Sequence, residues 1–316
     1  TALLNYVPSP EHRCELEEAA PGWRLVPAAT EEEALRAAPE AEVILGNRYF
    51  LQVLPEARRL RWMQSNSVGM DLILADPLAR QRDFVLTNAR GVYDDEMADH
   101  ALALALALVR GVGAAARAMV DGGWRREPLP VLRDLPALIF GFGGVGRAIA
   151  RRLLAFGCTV TAVRRSAGGP AAALAQSMGV RLVPAGRAKA ALESSRLVFL
   201  ALPLTPETRG LFGRDLLRRL PDGAHLVNVA RGPLLDEEAL RHELPRLGGV
   251  ALDVFATEPL PSDHWLRHAP NVVLTPHVGR SPEGERRRWA PLFVENLRRW
   301  AAGEPLLNVV DKEFGY

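Results

Sequence analysis

The sequence predicts an α/β protein made of two doubly wound parallel-sheet domains, and three observations carry the prediction. Short apolar runs alternate with helix-like segments, the pattern of parallel βαβ units. The alternation runs in two series, one from the first residues and one from Leu135, with an Ala-Leu-rich segment between them. The chain has 316 residues, enough for roughly two domains that each bury a core.

The first series places strands at residues 2–6, 42–45, 61–64 and 84–87. Thr30, followed by Glu31, Glu32 and Glu33, reads as a helix N-cap with acids in the first turn, where the helix dipole favours negative charge. Another helix is expected to start near Asp71. Residues 101–108 repeat Ala-Leu four times. Strict alternation would argue strand, but Ala and Leu are strong helix formers and no β-branched residue interrupts them, so one helix is predicted from Asp94 to Val120. The second series places strands at residues 137–140, 159–163, 180–183, 197–201, 224–229, 249–254 and 271–274, enough for a seven-stranded doubly wound sheet. Residues 282–302 read as one amphipathic helix stopped by Gly303. The stretch after the last strand is expected to pack back on the first domain. The predicted domains are therefore residues 1–93 with 281–316, a discontinuous unit, and residues 94–280.

Composition narrows the function classes. Lys plus Arg number 39 against 37 Asp plus Glu, a formal net charge of +2 that does not suggest a nucleic-acid binder. Only Lys189 and Lys312 are lysines, so the other 37 cations are arginine. No Gly-rich loop ends in Gly-Lys-Ser/Thr, which excludes the usual phosphate loop of ATPases, and two lysines leave little room for Schiff-base chemistry. The two cysteines, Cys14 and Cys158, have neither metal nor redox spacing and suggest a reducing compartment. His264 and His268 have no evident third ligand, so no metal is expected. The longest apolar run, residues 101–109, is far short of the ~20 residues that span a bilayer, and the first residues lack a signal-peptide pattern. A cytoplasmic protein with no membrane and no nucleic-acid partner is the expectation.

The sharpest local motif is Gly141-Phe142-Gly143-Gly144-Val145-Gly146, set between a predicted strand and a predicted helix. Gly141 permits the tight turn, Gly143 lets the backbone approach a pyrophosphate, and Gly146 lets helix and strand pack closely. The helix N-terminus then offers N–H groups and a positive dipole end to the phosphates of a dinucleotide. A Rossmann domain that binds a nicotinamide cofactor follows. The acid that would hold the adenosine ribose of NAD is expected about 20 residues further on. It is missing: Arg164, Arg165 and Ser166 stand at the end of the second strand, and no Asp or Glu occurs between Asp134 and Glu193. Arginine pairs bidentately with a 2′-phosphate and serine can donate to it, so NADP(H) is preferred, with NAD(H) as the alternative.

Three later segments each lie just past the carboxyl end of a predicted strand. They are Asn228-Val229-Ala230-Arg231-Gly232-Pro233, the stretch from Asp253 to Glu258-Pro259, and Thr275-Pro276-His277-Val278-Gly279. Ligands of doubly wound sheets bind along that edge, so Arg231, Glu258 and His277 are predicted to converge beside the nicotinamide. These segments join others: Leu60-Arg-Trp-Met-Gln-Ser-Asn-Ser-Val-Gly-Met-Asp71, Thr87-Asn-Ala-Arg-Gly-Val92, and Leu202-Pro203-Leu-Thr-Pro-Glu-Thr208-Arg-Gly210. Together and in this order the chain resembles the D-isomer-specific 2-hydroxyacid dehydrogenases over essentially its whole length. That family includes glyoxylate/hydroxypyruvate reductases and phosphoglycerate, D-lactate and formate dehydrogenases.

The resemblance implies a flavodoxin-like substrate domain and a Rossmann cofactor domain with a cleft between them. It implies that His277 donates a proton to the substrate oxygen as hydride reaches the carbon. Glu258 would fix the tautomer of that ring and support its protonated form. Arg231 would bind the substrate carboxylate and polarise the 2-oxo group. Ser67, Val68 and Gly69 would bind the same carboxylate through backbone N–H groups. Asp253 would face the nicotinamide carboxamide; Leu202, Pro203, Thr208, Val229, Ala230 and Gly279 would line the cofactor. The expected activity is NADP(H)-dependent reduction of a small 2-oxo acid, of the glyoxylate/hydroxypyruvate type, to the D-2-hydroxy acid. An NAD-dependent 3-phosphoglycerate dehydrogenase and a cofactor-sensing corepressor-like binding protein are the alternatives. A homodimer is expected, with Trp124, Arg125 and Arg126 as candidate contacts. Asn88 is a candidate hinge residue, Trp265 a candidate pocket wall, and Asp99 and His100 could belong either to the site or to the surface.

Overall fold

The structure, a computed structural model, describes residues 1–124, 126, 128–280 and 285–316. Arg125 and the predicted start of the last helix at Pro282 lie outside the described residues. The chain divides into two compact units, Thr1–Tyr93 with Ser281–Tyr316, and Asp94–Arg280.

The first unit holds a five-stranded parallel sheet. Its elements in chain order are β1 (Ala2–Leu4), α1 (Pro10–Ala19), β2 (Leu25–Pro27), α2 (Glu31–Ala37), β3 (Val43–Leu45), α3 (Phe50–Val53), β4 (Trp62–Gln64), α4 (Asp71–Leu74), α5 (Pro77–Gln81) and β5 (Val85–Thr87). The strand order is β2-β1-β3-β4-β5. β1, β3 and β4 are buried at every position, as a parallel sheet covered on both faces requires. The sequence pattern missed β2: it is an edge strand of three half-buried residues ending in Pro27, and an edge is where a strand can carry proline. Thr30 caps α2 as predicted. Its hydroxyl accepts from the Glu33 N–H, and the Glu33 carboxylate accepts from the Thr30 N–H. The C-terminal segment closes this unit. The last helix, over Glu285–Ala302, buries Trp289 and Phe293 against Tyr6, and its Asn296 donates to Gln64 at the end of β4 (2.7 Å). Beyond it Val310 donates to Leu86 of β5 (2.8 Å).

The second unit begins with α6 (Asp94–Val109) and α7 (Val112–Val120). It continues β6 (Ala137–Phe140), α8 (Gly144–Ala155), β7 (Val160–Arg164), α9 (Gly169–Met178), β8 (Arg181–Pro184), α10 (Ala188–Glu193), β9 (Leu197–Leu200), α11 (Arg214–Arg219), β10 (His225–Asn228), α12 (Glu237–Glu243), β11 (Gly249–Leu252) and β12 (Val272–Leu274). All seven predicted strands form one parallel sheet, in the order β12-β11-β10-β9-β6-β7-β8. The Ala-Leu repeat is helical, and Ala98, Ala101, Leu102, Leu104, Ala105 and Leu108 of α6 enter the core. The helix does not run through to Val120 as predicted. It stops before Gly111, which takes a left-handed backbone (φ 61°), and α7 leaves at 60° with no buried residue. Among the described residues no single helix is long and apolar enough to cross a membrane.

The chain crosses over between β8 and β9, which flank the pair β7-β6 on opposite sides. The crossover makes the carboxyl ends of β6 and β9 the switch point of the sheet, where doubly wound folds bind ligands.

Candidate active site

The glycine loop leaves β6 at that switch point. Gly141 has φ 105°, and a side chain there would overlap the Ala201 carbonyl behind β9. A side chain at Gly146 would overlap the Gly141 carbonyl, so loop and helix α8 close on each other only through glycine. Gly143 is exposed, caps α8 with an extended backbone, and has open space where a side chain would stand. An anion can therefore approach the first N–H groups of α8 from that side. Phe142 is buried beneath the loop; Gly144 and Val145 form the first turn. At the end of β7 Arg164 is exposed and its Nη1 donates to the Ser166 hydroxyl (3.3 Å) and carbonyl (3.2 Å), with Arg165 exposed between them. After β9, Thr208 ties the loop that carries Leu202 and Pro203: its hydroxyl donates to the Pro203 carbonyl (2.7 Å) and accepts from the Thr205 N–H (2.8 Å). These groups fit a nicotinamide dinucleotide.

The ends of β10, β11 and β12 carry the other predicted groups. Asn228 shapes the first loop, donating to the Arg231 carbonyl (3.0 Å) and accepting from the Ala230 N–H (3.0 Å). The Arg231 side chain is half-buried, and its Nη1 donates to the Ala230 carbonyl (2.8 Å). Gly232 lets this loop press on the next one, because a side chain there would overlap the backbone of Phe255. Glu258 accepts from the Phe255 N–H through Oε1 (2.9 Å) and meets His277 Nδ1 through Oε2 (2.7 Å). That contact makes Nδ1 the protonated nitrogen and leaves Nε2 for chemistry. The imidazole is 45% exposed and the glutamate side chain 35%, so the ring is open to a small molecule while its far side is held.

His277 adopts a left-handed backbone, φ 54°, one of two non-glycine residues to do so among those described. Asp253 holds it there. The Asp253 carbonyl accepts the His277 N–H (2.9 Å), and the carboxylate accepts Thr275 Oγ1 (2.6 Å), the Val278 N–H (2.9 Å) and the Gly279 N–H (2.9 Å). The carboxylate is fully buried and lies 3.1 Å from Nε2 of His100. Burial raises its pKa, but the hydrogen bonds from His100, Thr275 and the Val278 N–H outweigh that, and it titrates below its ordinary value.

Residues 102–279 match the NAD binding domain of the D-isomer specific 2-hydroxyacid dehydrogenase family. The chain belongs to that family. It is an NAD(P)-dependent oxidoreductase of this kind. A glyoxylate reductase of Korarchaeum cryptofilum is 35% identical over 83% of the chain and 79% of the relative. A D-3-phosphoglycerate dehydrogenase of Archaeoglobus fulgidus is 32% identical over 89% of the chain, which spans 53% of that longer protein. Among solved structures, the NADPH-dependent glyoxylate/hydroxypyruvate reductase of Sinorhizobium meliloti, in complex with NADP and sulfate, superposes with a TM-score of 0.85. It is 27% identical, and the match covers 100% of the chain and 99% of that structure.

In this dehydrogenase Arg231, Glu258, His277, Asp253, Gly279 and the glycine loop all stand at one edge of the second unit. Ser67, Val68 and Gly69 stand past the end of β4 in the first unit. There Asn47 shapes the turn: Nδ2 donates to the Ser67 hydroxyl (2.8 Å), and Oδ1 accepts from the Ser65 hydroxyl (2.9 Å) and the Asn66 N–H (3.0 Å). Asn88 donates to the Val68 carbonyl (2.9 Å) from the end of β5. The N–H groups of Val68 and Gly69 reach no acceptor among the described residues. Asn47 went unseen in the sequence because one asparagine after a strand carries no signal by itself. Trp265 is half-buried under Arg241 (5.8 Å from its ring), and His264 pairs with Glu237 (3.3 Å). Among the described residues no group of three or more His, Cys, Asp or Glu could hold a metal.

Proposed function

We propose that this dehydrogenase reduces a small 2-oxo acid of the glyoxylate/hydroxypyruvate type to the D-2-hydroxy acid with NADPH. The observation that carries the proposal is the exposed imidazole of His277, braced at Nδ1 by Glu258 on the sheet edge that also bears Arg231 and the glycine loop. When bound, the dinucleotide supplies the hydride that arrives at the 2-oxo carbon. His277 Nε2 delivers a proton to the carbonyl oxygen, and takes it back in the reverse direction. Arg231 binds the substrate carboxylate and stabilises the charge that grows on the oxygen. Val68 and Gly69 offer N–H groups to the same carboxylate, whereas the Ser67 N–H, expected to join them, is taken by the Ser65 hydroxyl (3.0 Å). The first unit, residues 1–93 with 281–316, is thus assigned to substrate and the second, residues 94–280, to cofactor. Arg164, Arg165 and Ser166, with no acid among them, support NADP(H) over NAD(H). Leu202, Pro203, Thr208, Val229, Ala230, Asp253 and Gly279 are assigned to the cofactor side of the site. The assignment includes a homodimer and a cytoplasmic location, the latter consistent with two free thiols at Cys14 and Cys158.

Relatives that are phosphoglycerate dehydrogenases support a second reading, in which the substrate carries a phosphate and the cofactor is NADH. Initial rates decide between them, with NADPH and NADH across glyoxylate, hydroxypyruvate, pyruvate, phenylpyruvate and phosphohydroxypyruvate. The expected result is NADPH oxidation fastest with glyoxylate or hydroxypyruvate and abolished in His277→Ala. Preference for phosphohydroxypyruvate with NADH would establish the second reading instead, and a protein that only binds cofactor would turn over none of the five.

A further inference from the structure

The loop that carries His277 has a support in the helical core of the same unit. A non-glycine residue at positive φ persists only where its surroundings over-determine it. Here the surroundings are the Asp253 carboxylate and carbonyl, which together take four hydrogen bonds from residues 275–279. Gly279 belongs to the same device, because a side chain there would meet Asp253 Oδ2 and Met97 Cε, both at 2.9 Å. A fully buried carboxylate is costly unless its oxygens are hydrogen-bonded. The His100 imidazole reaches this carboxylate, with Nε2 at 3.1 Å from Asp253 Oδ1 and also 3.1 Å from Thr275 Oγ1. One N–H on His100 can thus serve both groups. The imidazole comes from α6, whose neighbouring Ala98, Ala101 and Leu102 are buried, so its position is fixed by packing rather than by a loop. The adjacent Asp99 turns the other way, to Arg152 on α8 (2.6 Å).

We propose that His100 is a positioning residue for the proton-transfer step, acting on His277 through Asp253 and Thr275. This rests on the assignment of His277 as the acid/base group. Without His100 the buried carboxylate loses a hydrogen-bond donor, its hold on residues 275–279 loosens, and the His277 imidazole is displaced from Glu258. Misplacement of a reacting group by about 1 Å can cost up to about 100-fold in rate. Gln can still donate one hydrogen bond toward Asp253; Leu cannot.

The test compares His100→Leu and His100→Gln with the parent enzyme. In His100→Leu, kcat is expected to fall about 10- to 100-fold, and His100→Gln is expected to regain most of the loss. A second readout does not need turnover. In ¹⁵N-histidine spectra the Nδ1–H signal of His277, assigned by its absence in His277→Ala, is expected in the parent and in His100→Gln and lost in His100→Leu. Unchanged kcat in His100→Leu, or an unchanged His277 signal, overturns the proposal. If His100→Leu does not fold, a His100→Gln enzyme with the His277 signal and turnover of the parent supports it, and one lacking both overturns it. A parent enzyme that reduces no 2-oxo acid would instead defeat the proposed function, and the His277 signal would still decide whether His100 holds the loop.

Discussion

At the scale of single residues, the exposed Arg164 is where the proposed choice of NADPH over NADH is put to the test. Its guanidinium is already turned toward Ser166, so the two present a cation and a hydroxyl on one short loop. A hydrogen bond to a charged group contributes about 1.5–3 kcal/mol, or about 10- to 150-fold in affinity. Arg164 is solvent-exposed, so the lower end applies. Arg164→Leu is expected to weaken NADPH binding about 10-fold and leave NADH binding within about twofold, as read by fluorescence titration of both cofactors. Equal weakening of the two would mean that Arg164 does not meet the 2′-phosphate. The placement of Arg231, Glu258 and His277 at the sheet edge was legible in the sequence because each sits in a motif just after a strand. Asn47 and His100 were not assigned roles, because their work is to hold backbone and carboxylate in place. That work shows only once distant segments are folded together: 20 residues separate Asn47 from Ser67, and His100 bonds across 175 residues to Thr275.

At the scale of elements, the errors have local causes. β2 lies at the sheet edge with three half-buried residues, so it lacks the continuous apolar run that marks the equally short β1, β3 and β4. The predicted single helix broke at Gly111 because the Ala-Leu pattern sets helix propensity but says nothing of direction, and a left-handed glycine ends the hydrogen-bond ladder. The break has a consequence. α7 and the residues after it expose Val112, Met119, Val120 and Trp124, at 56%, 56%, 87% and 74%. Together they make an apolar face on a helix with no buried residue, the kind of surface that marks an interface. A second copy of the chain is the proposed occupant. The expected outcome in sedimentation at micromolar concentration is a dimer, with Val120→Asp shifting it toward monomer. A monomeric parent protein at that concentration would contradict the assignment.

At the scale of the whole molecule, the two parallel sheets, one of them seven-stranded, were legible from the order of apolar runs. The electrostatics of the buried sheet was not, because it depends on which histidine and which carboxylate the packing encloses. His225 at the start of β10 is such a group. Burial pushes its pKa below the ordinary 6.5, opposed only in part by a hydrogen bond with the Arg196 backbone. The neutral ring is therefore favoured in the folded protein, while the unfolded chain takes up a proton near pH 6.5. Between the lowered folded-state pKa and that value the unfolded state binds more protons, so stability rises with pH. The contribution is fully present above pH 6.5 and is lost as pH falls through the window below it. Asp253 has the same sign in a lower window, because its pKa is depressed below 3.8, so its contribution goes only under stronger acid. The expected outcome is a two-stage acid loss of stability, the first stage set by His225, starting below pH 6.5 and read by comparing pH 7 with pH 5.5. Thermal melts at those two pH values check it: the parent should lose more on acidification than His225→Gln, whose side chain does not titrate. Equal losses in the two proteins would show that His225 does not set the first stage.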